Sequence, residues 1–129
     1  MDHDNAAVGM VATLMALAAR TAPKAKGIDV IETRIASGED LGRLSGAMRE
    51  YGNTHHMGFF IRDSGNVAAS DACLVIAARG QVVTGLNCTG CGYPSCEAMA
   101  AAFRERADDF LPFSGPNCVL RMADLGIAV

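Results

Sequence analysis

The chain has 129 residues, half of them hydrophobic, with five Phe, two Tyr and no Trp. Its formal net charge is -3 and it contains no run of Lys or Arg, which excludes the concentrated positive field that nucleic-acid binding requires. The length is typical of one domain, so we expect residues 1–129 to form a single domain with a core of small aliphatic side chains.

The first predicted element is a helix from Asn5 to Arg20. Ala6 to Ala19 is free of charge, but fourteen residues are too few for a membrane span, which needs about 20. The preceding charges, Asp2 and Asp4, have the wrong sign for a secretory signal. The segment is therefore predicted to be a core helix of a cytoplasmic protein that does not contact a membrane, with its inward residues at helical spacing: Val8, Val11, Met15 and Ala18.

The following elements alternate between strands and helices. A chain of this kind is predicted to be an α/β protein, in the form of an α+β layered sandwich with a short sheet and packed helices. Within it the strand from Ala72 to Ala78 is uniformly apolar, which predicts burial on both faces. The other predicted elements are a strand over Ile28–Ile35, a helix over Leu41–Tyr51 closed by Gly52, a short strand over Phe59–Ile61 followed by a turn over Arg62–Asn66, a short strand over Gln81–Leu86, a helix over Ser95–Ala107 and a helix that begins near Pro116 and directs Met122 and Leu125 inward.

The cysteines are the strongest candidates for a functional site in this sequence. Cys88, Cys91 and Cys96 have the spacing C-x2-C-x4-C, and Cys118 follows after twenty-one further residues. Because an iron–sulfur cluster needs four thiolates around a compact core, three can come from one tight loop and the fourth from elsewhere. Gly90 and Gly92 allow that loop to curl around the core and direct N–H groups at sulfur. The pattern predicts a [4Fe-4S] cluster bound within residues 88–118.

Helix starts support the same set of ligands. Cys96 falls at the beginning of one predicted helix, and Cys118 lies two residues after Pro116, in the first turn of the next. Since the helix dipole favours negative charge at that end, both cysteines are predicted to be stabilised as thiolates.

Two other functions remain open for these cysteines. A structural zinc ion would use the same four thiolates and would make the protein an interaction module without redox activity. A thioredoxin-like pair of Cys88 and Cys91 would leave the other two without a role. The fifth cysteine, Cys73, lies in the apolar strand and is predicted to be a small core residue.

The sequence resembles two groups of known proteins. Cys88–Cys96, with its Cys-x-x-Cys-Gly-Tyr-Pro-x-Cys pattern before an Ala-rich helix, resembles the four-cysteine iron–sulfur domain of corrinoid and electron-transfer proteins. Most of the chain resembles a family of uncharacterised prokaryotic proteins that contain a ferredoxin domain. Members of that family usually continue past the position of Val129, which implies a longer natural domain. The stretches that carry this resemblance are Ala19–Asp29, Phe60–Asn66, Gly85–Cys88 and Asp124–Val129.

A basic segment after the first helix raises the question of a second cofactor. Arg20, Lys24 and Lys26 could contact the phosphate of FMN, and the order of elements weakly resembles the nitroreductase fold. Because the segment has no glycine-rich phosphate cradle, a solvated basic loop is the favoured interpretation. Arg20 and Lys24 are nevertheless kept as candidate cofactor-binding residues.

These interpretations converge on a redox protein. The leading hypothesis is an electron-transfer protein, with oxidoreductase activity left open, whose partner is a redox protein or a small-molecule electron acceptor. The apolar end of the chain, Ile127-Ala128-Val129, also indicates a homo-oligomer. A zinc-stabilised module and an FMN-dependent reductase with an iron–sulfur centre are the alternatives.

Overall fold

A computed structural model describes residues 3–106 and 113–129 of the chain. In these residues the fold is mixed, with five helices and two antiparallel strands, as the predicted fold class requires. The elements in order are α1 (His3–Thr21), a short 3-10 helix (Ala25–Gly27), β1 (Ile31–Ser37), α2 (Glu39–Thr54), α3 (Gly58–Ala68), β2 (Ala72–Ala78), α4 (Cys96–Glu105) and α5 (Val119–Ala128).

The contacts of the chain divide into two compact units. The first contains the residues up to Leu17 together with Thr33–Val75, and the second contains Ala18–Glu32 together with the chain from Ile76 onward. All four candidate ligands belong to the second unit. Whether the chain behaves as a single folding domain stays a prediction.

In the first unit, α2 and α3 pack together as a helical pair. The buried Ser45 of α2 donates a hydrogen bond to the Ser64 carbonyl of α3 over 2.8 Å. Gly52 permits the close approach, because a Cβ there would lie 2.8 Å from Ile61 Cγ1. The glycine is thus an interior residue of α2 and does not close the helix, which continues to Thr54.

The short strand predicted over Phe59–Ile61 and the turn over Arg62–Asn66 are wrong, because both segments belong to α3. Ser64-Gly65-Asn66 has turn-like composition, but Ser64 faces α2 and is fully buried. Packing against α2 therefore overrides local propensity.

The sheet is smaller than the sequence predicted. β2 has the predicted bounds, but within residues 3–106 and 113–129 its one partner is β1, and no strand forms over Gln81–Leu86. With a single neighbouring strand, β2 is only partly covered, and Val75 is 38% exposed. The prediction of a strand buried on both faces is therefore wrong.

The core of the second unit is built from the end of α1, the start of β1, the end of β2 and α5. Ala19, Ile31 and Ala128 form its buried centre, and Ile76 and Leu125 pack against it. Leu125 therefore lies on the inner face of α5 as predicted. The two residues of α5 that are almost completely buried, however, are the charged pair Arg121 and Asp124.

The orientation of α1 differs from the prediction. Small side chains face inward, with Ala12 and Ala19 buried, whereas Val11 and Met15 are 55% and 53% exposed. Met10, Leu14 and Leu17 are also exposed. Among the described helices, α1 included, none is both long and apolar enough to cross a membrane.

Candidate metal centre

One pocket in the second unit is lined by all four cysteines of the motif. Cys88 and Cys91 line it from the loop before α4, Cys96 lines it from the first residue of α4, and Cys118 lines it from the start of α5. All four are free thiols. The structure thus brings together four sulfur donors that the sequence separates by up to thirty positions. The rest of the lining is uncharged, and comprises Val83, Thr84, Asn87, Thr89, Tyr93, Ser95, Met99 and Val119.

The loop from Gly85 to Gly92 turns sharply because several of its residues adopt left-handed backbone conformations. Gly92 has a φ of 87°, which favours glycine, and its N–H donates to the Thr89 carbonyl over 2.9 Å. Thr89 itself has a φ of 59°, which a β-branched residue seldom adopts. Such conformations persist where the surrounding structure requires them, often at functional sites.

Asn87 fixes the position of Cys96. Its backbone N–H donates to Cys96 Sγ over 3.4 Å, and its side-chain Oδ1 accepts the Cys96 N–H over 2.8 Å. Ser95 is the N-cap of α4 and its Oγ accepts the Ala98 N–H over 3.1 Å. Cys96 is therefore the first residue of α4, as predicted, and its sulfur receives an N–H group of the kind that stabilises a thiolate.

Cys118 is the N-cap of α5 and is buried. Its own N–H donates to the Gly80 carbonyl over 2.8 Å, which ties the start of α5 to the segment after β2. Burial raises the pKa of the Cys118 thiol, but hydrogen bonds from the backbone N–H groups of Arg121, Leu120 and Thr84 lower it more and hold the pKa below its ordinary value. The predicted thiolate at this helix start is thus supported by several donors.

Four cysteine thiols are a donor set that both iron–sulfur clusters and structural zinc ions use. In the described residues, 3–106 and 113–129, no three Cys, His, Asp or Glu side chains lie close enough together to hold one metal ion. A zinc ion requires sulfur atoms about 2.3 Å from one centre, whereas a cluster holds its thiolates at the outer corners of a larger core. The donor set of four cysteines fits an iron–sulfur cluster.

Gly90 leaves the space through which α5 approaches the loop. A Cβ at this position would lie 2.7 Å from Val119 Cγ1 and 3.6 Å from Cys88 Sγ. We therefore predict that Gly90→Ala pushes the loop away from α5, destabilises the protein by about 1–3 kcal/mol through overpacking and lowers the iron retained after anaerobic reconstitution. Urea unfolding and iron analysis would measure both effects.

A second-site change gives this prediction a specific control. Val119→Ala removes the atom that the new methyl group would strike, so the double variant should recover most of the lost stability and iron. Gly65→Ala in α3 adds a methyl group to open space and should leave iron retention unchanged. A double variant no better than Gly90→Ala would contradict the steric explanation.

The candidate FMN contacts lie elsewhere in the second unit. Arg20 Nη1 donates to Asp29 Oδ2 and to the Ile31 carbonyl, both over 2.6 Å. Lys24 Nζ donates to the carbonyls of Ala19 and Arg20 at the end of α1, over 2.7 and 2.6 Å. Neither cation lines the cysteine pocket. Both already have partners within the chain, which favours a structural role for each.

Two residues important to the site were not found from the sequence. Arg121 is fully buried and donates from Nε to the Val82 carbonyl over 2.8 Å and from Nη1 to the Ala25 carbonyl over 3.0 Å. Asp124 is its ionic partner at 3.1 Å. The only signal in the sequence was a charged pair at i and i+3 on the inner face of an apolar helix.

Comparisons with known proteins agree with this site. A family model described as "Putative Fe-S cluster" matches residues 85–109, which include the first three cysteines, and it supports iron–sulfur binding. An "Uncharacterized protein" of Archaeoglobus fulgidus is 41% identical over 128 residues, which are 99% of this chain and 67% of that protein. No solved structure matches the chain. On the strength of the shared identity and coverage, the chain belongs to the same family as the archaeal protein.

Proposed function

We propose that this protein binds one [4Fe-4S] cluster through Cys88, Cys91, Cys96 and Cys118 and acts in electron transfer. The observation that carries the proposal is the position of Cys118, which lines the same pocket as the three cysteines of the loop. Since the matched family model ends at residue 109, the proposal of Cys118 as the fourth ligand is supported by the sequence pattern and by the pocket, and not by that match.

Exposure supports a redox role. Cys88 is exposed to solvent, whereas Cys118 is buried. A cluster held between them would lie near the surface, where a partner protein or a small electron acceptor could approach it. The bound cluster would supply one-electron chemistry, and the protein would set its potential through burial and hydrogen bonds to sulfur.

Quantification of iron and acid-labile sulfide in anaerobically purified or reconstituted protein tests the proposal. We expect about four of each per chain for a [4Fe-4S] cluster, with broad visible absorption that bleaches on addition of dithionite. Electron paramagnetic resonance of the reduced protein would identify the cluster type. Stoichiometric zinc without labile sulfide would instead establish the interaction module.

An FMN-dependent reductase remains the third hypothesis. The internal partners of Arg20 and Lys24 argue against a flavin site there, because FMN phosphate would have to replace contacts with Asp29 and with the last carbonyls of α1. Yellow supernatant after denaturation would favour the reductase. The cytoplasmic location and the homo-oligomer both stay predictions.

A further inference from the structure

A buried threonine lines the pocket that contains the four cysteines. Thr84 is 5% exposed and lines the pocket together with Cys118. Its hydroxyl oxygen completes no hydrogen bond within the described part of the chain. Buried hydroxyl groups nearly always have partners, so one left incomplete beside a pocket indicates a role there.

Thr84 lines the same pocket as Cys118 and the other three cysteines of the motif. Its unpartnered hydroxyl therefore belongs to the wall of the proposed cluster site. A group held by those sulfur atoms would supply the partner that the hydroxyl lacks within the described residues.

A cation holds Thr84 from its other side. Lys26 Nζ donates to the Thr84 carbonyl over 3.1 Å. Lys26 has a φ of 57°, and the turn that contains it is fixed from α5, since the Ala25 N–H donates to Asp124 Oδ1 over 2.8 Å and the Ala25 carbonyl accepts from Arg121. The ion pair of α5 therefore holds the turn that places Lys26 against Thr84.

We propose that Thr84, held by Lys26, raises the reduction potential of the cluster because its unpartnered hydroxyl donates to a sulfur atom of the site. This inference rests on the proposed function. Reduction adds one electron to the cluster and increases the negative charge on its sulfur atoms. A hydroxyl proton donated to sulfur, with the Lys26 cation bound to the carbonyl of the same residue, stabilises the reduced form more than the oxidised form.

Thr84→Val tests the hydroxyl alone, because valine keeps the shape and the backbone N–H. The variant should bind as much iron and sulfide as the parent does. Its equilibrium constant for reduction by a given electron donor should be about tenfold lower, which corresponds to a reduction potential about 59 mV lower for a one-electron couple. Thr84→Ser keeps a hydroxyl, so its equilibrium constant for reduction should stay within about twofold of the parent's, which is a difference in potential of less than about 18 mV. Spectroscopic redox titration under anaerobic conditions measures all three proteins.

Lys26→Met provides a second and independent measurement. The residue is exposed, so its loss should not prevent folding, and methionine keeps the unbranched stem. We expect its potential to fall in the same direction as that of Thr84→Val, while Lys26→Arg, which retains the charge, stays close to the parent.

The failures of the two proposals are distinguishable. If the parent protein binds no iron and sulfide, the proposed function fails. If the parent and Thr84→Val load equally and titrate at the same potential, the proposed function stands and this inference is wrong. Should Thr84→Val not load a cluster, an unchanged potential in Lys26→Met overturns the inference and a lowered one supports it.

Discussion

Replacement of Cys118 by alanine should abolish the cluster, with iron after anaerobic reconstitution falling from about four to below one per chain. Cys118 lies at the start of α5, with its backbone bonded to Gly80 and its sulfur surrounded by N–H donors. A cluster that loses its buried ligand retains three thiolates in an exposed loop, and no described His, Asp or Glu lines the pocket as a substitute. Iron and sulfide analysis, with visible spectra, measures the loss.

Cys73→Ala is the matched control for this experiment. The residue is the remaining free cysteine of the chain, lies in β2 and does not line the pocket. Its replacement removes one thiol without touching the site, so loading should stay at the level of the parent. Full loading of Cys118→Ala, or an equal loss in both variants, would show that Cys118 is not the fourth ligand.

Arg121→Met should destabilise the protein by about 3–5 kcal/mol, because it leaves the Asp124 carboxylate buried without its partner. The two side chains are 0% and 4% exposed, and the ion pair is 3.1 Å long. The same guanidinium also satisfies the carbonyls of Val82, Ala25 and Ile28. Urea unfolding of the metal-free protein, followed by circular dichroism, would measure the change.

An exposed ion pair provides the comparison. Arg104 and Glu97 pair on α4 at 2.9 Å with side chains 64% and 82% exposed, so Arg104→Met should cost less than about 1 kcal/mol. Asp124→Asn should cost less than Arg121→Met, because the amide oxygen can still accept the Ala25 N–H. Equal costs for Arg121→Met and Arg104→Met would show that the buried pair does not hold the second unit together.

The local parts of the site could be predicted from the sequence. The glycine-lined loop and the helix start at Cys96 depend on neighbouring residues, which the sequence shows directly. The second helix start was predicted less accurately, because α5 begins at Val119 and not near Pro116, so Cys118 is its N-cap and does not lie in its first turn. β2 was predicted with its correct bounds because Asp71 and Arg79-Gly80 interrupt the apolar run on both sides.

The remaining features depend on contacts between distant segments. Arg121 is buried because the carbonyls of Ala25, Ile28 and Val82 accept hydrogen bonds from it. These acceptors are far from Arg121 in the sequence, so the residues around it do not predict the contacts. In α3, a run of turn-forming residues becomes helical because α2 covers it. In α1 the small residues Ala12 and Ala19 pack inward and the large apolar side chains face outward. The spacing of hydrophobic residues does not show which of these two sets is buried.

Because Cys88 is exposed and Cys118 is buried, the proposed cluster would be open to solvent at Cys88 and shielded at Cys118. Electrons would enter and leave on the open side, since tunnelling slows steeply with distance. Dioxygen would arrive by the same route, so covering Cys88 more deeply would lengthen survival in air and slow exchange with a partner. Survival in air and the rate of electron exchange would therefore both depend on the exposure of Cys88, so a change there that improves one would impair the other.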